Sequence, residues 1–195
     1  MNEKIFEAAR KNGNLISTSQ VLALGFSKAM LSKYVAAKSL VRVCHGIYAL
    51  PDTIIDSLYV LHQRSDSLVF SHESALFLNG LSDRTPFLAT VTIPSDMTLS
   101  PAIKKECACF YIQPDLYEVG FEERRTTFGN PVRCYNMERT ICDILRSRNR
   151  LDEETVISAI KNYSKSPKKD LYRLYEYARK FAVLPQIKQY LEVLL

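Results

Sequence analysis

The sequence contains 195 residues, of which 47% are hydrophobic and 24% are charged. This composition is typical of a folded globular protein and excludes a disordered or collagen-like chain, and the length accommodates one domain or two small ones. The formal net charge of +5 is too small to indicate a partner by itself, so its distribution along the chain carries more information.

Positive charge is concentrated in residues 1–50, which contain seven basic residues and two acidic ones. Residues 51–195 contain 19 basic and 19 acidic residues and are neutral overall. Such asymmetry indicates a basic module that binds a polyanion, followed by a neutral module with another role. We therefore predict two domains, one at residues 1–50 and one at residues 51–195.

Other features bear on the cellular compartment. No apolar run reaches the roughly 18 residues that a membrane span needs, and the N-terminus has no apolar secretory core. The five cysteines are an odd number and are best explained as reduced thiols. We expect a cytoplasmic protein without membrane contact.

The first 50 residues predict three short helices followed by a hairpin. Ser17 and Gln20 have the spacing of a capping box, which places the start of the second helix. Gly25 ends that helix, and Ser27 is a suitable N-cap for the third. Two β-branched runs around Gly46 then predict a hairpin. Three helices followed by a hairpin are typical of a winged helix-turn-helix.

The predicted third helix has a small, basic outer face, and no acidic residue occurs between Ser27 and Lys38. Helical spacing places Leu31 and Tyr34 on the opposite face, where they should pack inward. A helix that enters the major groove needs small residues for close approach and cations for the phosphates. The alternative is a small helical subdomain with a solvated basic face. The residues predicted to contact DNA are Ser27, Lys28, Ser32, Lys33, Arg42 and His45.

Residues 51–195 predict a mixture of strands and helices. Five β-rich runs are followed by a mainly helical C-terminal segment. The predicted fold class is therefore α+β: an N-terminal winged helix-turn-helix followed by a mixed α/β domain that ends in helices. The predicted helices of this region begin near Ile54, Ser71, Asn136, Asp152, Ser166 and Pro185.

No motif predicts catalysis, a metal or a cofactor. Cys107 and Cys109 are two positions apart, which places both on the same face of a predicted strand. They lack the C-x2–4-C spacing that is typical of a structural zinc site. No Asp or Glu precedes a Lys by two positions, as in restriction-type nucleases, and there is no phosphate-binding glycine loop. We predict a protein that is not an enzyme. A DNA-directed enzyme, such as a nuclease or nucleotide-modifying protein, and a ligand-sensing winged-helix repressor are the alternatives.

Arg146, Arg148 and Arg150 form a second basic cluster just after a predicted helix. The helix dipole favours cations at that position, which is a sufficient structural explanation. The functional alternative is a second surface that contacts phosphates.

Three segments of the sequence resemble the AbiEi antitoxins of abortive-infection toxin–antitoxin systems. The first runs from Gly25 to Ala49, the second covers 70–83 and the third covers 133–145. The winged helix alone is generic, whereas the order of all three segments in one chain is more specific.

This resemblance implies a bacterial type IV antitoxin that acts in phage defence. Such a protein counteracts a nucleotidyltransferase-like toxin without forming a stable complex with it. It also represses its own operon by binding inverted repeats in the promoter. The resemblance assigns DNA binding to the N-terminal domain and antitoxicity to the C-terminal domain, and it supplies no catalytic residue. We expect a monomer in solution that binds double-stranded DNA cooperatively.

Overall fold

The computed structural model describes residues 3–194, with side chains described up to residue 190. Backbone contacts divide the chain into two compact units. The first unit runs to Arg64 and includes Thr126–Asn130, and the second comprises Ser65–Arg125 and the residues from Pro131 onward. Residues 51–64 thus lie in the first unit, while the functional boundary at residue 50 stays a prediction.

The fold is α+β, as predicted. Helices and two β-sheets are distributed over both units, with one sheet in each. None of the helices in residues 3–194 has the length and apolarity that crossing a membrane would require.

The first unit combines four helices with a three-stranded antiparallel sheet. β1 and β2 both pair with β3, so β3 is the central strand. β1 was not predicted, because three residues are too few for an alternating pattern to show. The elements in chain order are α1 (Glu3–Lys11), β1 (Leu15–Ser17), α2 (Thr18–Ala23), α3 (Lys28–Ala36), β2 (Val41–Cys44), β3 (Ile47–Ala49) and α4 (Ser57–Gln63).

The helix α4 begins later than the sequence predicts. Its N-cap is Asp56, whereas Ile54 precedes the helix and is 77% exposed. The Asp56 carboxylate also accepts hydrogen bonds from Thr126 at 2.5 Å and from Asn130 at 2.8 Å. A capping carboxylate held in this way fixes the start of the helix more strongly than the apolar spacing does.

The core of the first unit lies between its helices and its sheet. It brings together residues from all three N-terminal helices, β1 and the segment before β2, which is why the short helices are stable together. The buried residues are Ile5, Phe6, Ala9, Ile16, Val21, Leu31, Tyr34 and Leu40.

The second unit is built on a five-stranded mixed sheet with the order β6-β5-β4-β8-β7. The pairs β5/β6 and β4/β8 are parallel, and the other two pairs are antiparallel. A 3-10 turn, Arg148–Arg150, follows α8. The elements are β4 (Val69–Phe70), α5 (His72–Leu78), β5 (Ala89–Pro94), α6 (Pro101–Lys104), β6 (Cys107–Ile112), α7 (Pro114–Tyr117), β7 (Phe121–Arg125), β8 (Pro131–Tyr135), α8 (Met137–Arg146), α9 (Glu153–Lys165), α10 (Leu171–Lys180) and α11 (Leu184–Leu194).

The central helix α8 carries a fully buried ion pair. The Nε atom of Arg139 lies 3.0 Å from the Asp143 carboxylate, and Nη1 donates to two backbone carbonyl groups in and after α7 at 2.9 and 2.7 Å. The guanidinium lies 3.9 Å from the centroid of the Tyr135 ring and 4.1 Å from that of Phe181. Burial raises the pKa of the Asp143 carboxyl, and the charge of Arg139 opposes this effect.

One predicted helix start in the second unit is wrong, and the short helices α6 and α7 were not predicted. Asn136 and Asp152 cap α8 and α9 as predicted. The prediction that Ser166 and Pro167 open the next helix is wrong, because Ser166 ends α9 and Asp170 caps α10. The Asp170 side chain accepts the hydrogen bond that caps the helix, a role that the Ser166 hydroxyl, four residues earlier, cannot fill.

Candidate nucleic-acid interface

A capping box and a glycine turn connect α2 to α3. The Ser17 hydroxyl accepts a hydrogen bond from the Gln20 backbone N–H at 3.1 Å, and the Gln20 side chain accepts one from the Ser17 N–H at 2.8 Å. After α2, Gly25 adopts a φ of +82°, a left-handed conformation that glycine tolerates without strain. The Phe26 N–H then donates to the Val21 carbonyl at 3.1 Å. This geometry produces the predicted tight turn between the two helices.

The two faces of α3 differ as the sequence predicts. Leu31 and Tyr34 are buried, and the Tyr34 ring meets the Phe6 ring edge-on with 5.5 Å between the centroids. The opposite face is exposed and consists of small and basic side chains. Its exposed residues are Ser27, Lys28, Ala29, Ser32, Lys33 and Ala36.

The start of α3 combines a hydroxyl with a positive electrostatic environment. Ser27 has the extended backbone of an N-cap, but its hydroxyl makes no capping hydrogen bond to the described residues. The sequence contains no Asp or Glu between Glu7 and Asp52. The N-terminus of a helix also carries the positive end of the helix dipole. An anion near Ser27 would therefore meet attractive charge and a hydroxyl that the helix itself does not use.

The hairpin β2–β3 brings the other two predicted contacts together. Arg42 and His45 are both exposed, and their Nη2 and Nδ1 atoms lie 3.4 Å apart. At the tip, the carbonyl of Gly46 accepts hydrogen bonds from the Thr18 N–H at 2.8 Å and from the Thr18 hydroxyl at 3.4 Å. The tip of the hairpin is thus fixed to the first residue of α2. Sequence reasoning missed Thr18, whose only distinguishing feature is its place after the Ser17 cap.

The second predicted basic cluster lies in the second unit, at the end of α8 and in the following turn. Arg146, Arg148 and Arg150 are all exposed. The Arg146 guanidinium lies 6.0 Å from the Phe181 ring centroid, and that of Arg150 lies 4.0 Å from the Phe110 ring centroid. Arg150 also donates to the Cys109 carbonyl of β6 at 3.4 Å. The cluster therefore packs on two different aromatic rings, and its contact with phosphate stays a prediction.

His72, whose pKa is strongly shifted, begins α5 and is fully buried. Its Nδ1 lies 2.9 Å from the Ser71 hydroxyl, and its Nε2 lies 3.0 Å from the Ser147 hydroxyl. The ring stacks on Phe110 with 3.5 Å between the centroids. Burial lowers the pKa of His72 well below its usual value, and nearby arginines add to the effect. The imidazole is a neutral part of the core, out of contact with solvent.

The comparisons with known proteins bear on both units. Residues 3–51 match the AbiEi antitoxin family of transcriptional regulators. The match confirms the resemblance inferred from the N-terminal segment of the sequence, and it covers the AbiEi-like helices and hairpin described above. It indicates a role in transcriptional regulation for this part of the chain. No curated protein sequence matches the chain.

The chain is similar over most of its length to a solved structure. The crystal structure of the RV2827C protein from Mycobacterium tuberculosis matches 90% of this chain and 70% of its own, with a TM-score of 0.62 and 12% sequence identity. At this identity the likeness concerns the fold. That protein therefore shares the α+β fold of this chain.

Proposed function

We propose that the protein is an AbiEi-type antitoxin and transcriptional regulator that binds double-stranded DNA through its first unit. The observation that carries this proposal is the exposed, acid-free outer face of α3, in a segment that matches the AbiEi family. Small side chains on that face let the helix approach base edges, and the positive charge attracts the phosphates. The first unit acts as a winged helix-turn-helix, with α3 in the major groove.

The predicted contact residues divide into two groups by position. Ser27 and Lys28, at the N-terminus of α3, and Ser32 and Lys33, one turn further along, face the groove and its phosphates. Arg42 and His45, at the base and tip of the hairpin, follow the flanking backbone. Contacts to phosphates position the protein and make its affinity depend on salt.

The proposed function also includes an action against a toxin. The protein represses its own operon at inverted repeats in the promoter and counteracts a nucleotidyltransferase-like toxin without a stable complex. This part of the proposal is supported by the family resemblance and by the charge balance, which leaves the second domain neutral and therefore suited to another role. The protein acts in the cytoplasm, as a monomer that binds adjacent half-sites cooperatively.

Nuclease footprinting of the purified full chain on the DNA upstream of its gene tests the proposal. We expect protection that covers an inverted repeat, with both half-sites filled over a narrow range of protein concentration. A scrambled repeat of the same length and base composition is the control. Equal affinity for the promoter and the scrambled DNA would contradict a specific regulator.

A further inference from the structure

A basic pocket lies in the second unit at the carboxyl ends of β5 and β6. It is open to solvent and has a volume of about 360 Å³. Because β5 and β6 are parallel, their carboxyl ends lie at the same edge of the sheet, which is the edge where mostly parallel open sheets bind ligands. Ser95 directly follows β5 and Gln113 directly follows β6, so two polar residues line the pocket at this edge.

The charge around this pocket is positive. Arg146 ends α8 and Lys180 ends α10; both line the pocket, and no described acidic residue does. Neither cation forms an ion pair with the described side chains. The helix dipole explains each cation separately, but not their convergence on one cavity. Phe181 lines the same pocket. The buried guanidinium of Arg139 packs on the Phe181 ring, and its Nη2 atom has no hydrogen-bond partner among the described residues.

An aromatic ring at the pocket remains accessible. Tyr111 lies on the edge strand β6, lines the pocket and is 46% exposed. Planar bases stack on exposed aromatic rings, and side-chain amides such as that of Gln113 can both donate and accept hydrogen bonds. The combination of two cations, one exposed ring and neutral polar groups matches the chemistry of a base that carries phosphates.

We propose that this pocket binds a free nucleotide, with its phosphates between Arg146 and Lys180 and its base against Tyr111. The volume falls in the range of small-ligand sites, about 300–1,000 Å³. A single exposed ring accommodates one base, which favours a mononucleotide over a nucleic-acid strand. The site uses residues of the second unit alone, so it is independent of the proposed DNA contacts on α3.

Isothermal titration calorimetry of the full chain with ATP, GTP, CTP and UTP tests this proposal. We expect at least one nucleotide to bind with a Kd below about 1 mM. Lys180→Gln and Tyr111→Ala should each weaken binding about tenfold, the effect expected from losing one charged or stacking contact. The matched controls are Lys165→Gln, at the exposed end of α9, and Tyr172→Ala, an exposed tyrosine of α10. Both should bind as the wild type does.

Three further measurements decide between nucleotide binding and its alternatives. Tyr111→Phe keeps the ring and should retain the affinity, and thermal unfolding identifies any variant that has lost its fold. Tripolyphosphate and a short single-stranded oligonucleotide should bind more weakly than the best nucleotide. No nucleotide binding, equal binding of tripolyphosphate, or tighter binding of the oligonucleotide would overturn the proposal. Footprinting of promoter DNA by Lys180→Gln should be unchanged, which separates this site from the proposed regulatory function.

Discussion

At the scale of single residues, His72 shows how the second unit keeps a titratable group neutral. Its imidazole is buried between two serine hydroxyls and stacked on Phe110. Burial is the main cause of its lowered pKa, followed by the charges of Arg146, Arg139 and Arg150. A neutral imidazole in the folded protein becomes a proton acceptor on unfolding, so His72 links stability to pH.

The sign of this linkage gives a prediction for acid unfolding. The unfolded histidine takes up a proton as the pH falls below about 6.5, whereas the folded one does not. The free energy of unfolding should therefore fall in acid, with a slope from His72 that approaches about 1.4 kcal/mol per pH unit. Urea unfolding of the wild type and His72→Asn between pH 5 and pH 8 measures this. We chose Asn because the φ of +47° at this position favours residues that tolerate left-handed backbone.

The substitution His72→Asn should cost more stability at pH 8 than at pH 5, since only the wild type loses the contribution of the neutral imidazole in acid. A cost that does not change with pH would show that His72 does not supply the linkage.

At the scale of elements, the serines before α2 and α3 provide a comparison between structural and functional roles. Ser17 makes both hydrogen bonds of a capping box, whereas the hydroxyl of Ser27 makes no capping bond. Ser17→Ala should therefore lower the free energy of unfolding by about 1 kcal/mol. Ser27→Ala should change it by less than about 0.5 kcal/mol but weaken promoter binding. Denaturant unfolding and a mobility-shift titration of both variants measure this, and the reverse pattern would argue against Ser27 as a DNA contact.

The same elements show what sequence patterns could predict. Side chains that cap a helix locally, such as Asn136 and Asp152, were visible because their partners lie three residues away. Asp56 also has its capping partner, the Tyr59 N–H, three residues away, but its further hydrogen bonds to Thr126 and Asn130, far along the chain, cannot be seen in the sequence. Ser166 followed by proline has the pattern of a helix start, but the cap of α10 is Asp170. The Asp170 backbone N–H also donates to the Glu138 carboxylate at 3.0 Å. Local patterns therefore predict most elements, and long-range hydrogen bonds correct their ends.

At the scale of the whole molecule, the net charge of +5 comes from the first 50 residues, which contain the predicted DNA contacts. The sequence could suggest that proposed interface because one helix and one hairpin carry nearly all of the predicted contacts. The pocket of the second unit was not, because Ser95, Tyr111, Arg146 and Lys180 come from separate elements that only the fold brings together. Charge patterning along a sequence detects the first kind of site and not the second.

Repression of the promoter and neutralisation of the toxin, two proposed activities, should separate in the full-length protein. Lys28→Ala combined with Lys33→Ala removes two charges from α3 and leaves the second unit unchanged. With a reporter under the native promoter, this double variant should lose repression. Expressed from an unrelated promoter together with the cognate toxin, it should still restore growth. Loss of both activities by a folded, normally abundant variant would contradict separate roles for the two domains.

The most direct test of the central claim is the salt dependence of promoter binding by Lys33→Ala. Fluorescence anisotropy gives the affinity for the inverted repeat at several salt concentrations, with Lys161→Ala, an exposed lysine of α9, as the matched control. If Lys33 neutralises a phosphate, the slope of log affinity against log salt should become shallower by about one unit, with weaker binding overall. The control should bind like the wild type. An unchanged affinity and slope for Lys33→Ala would contradict the assignment of α3 as the DNA-contacting helix.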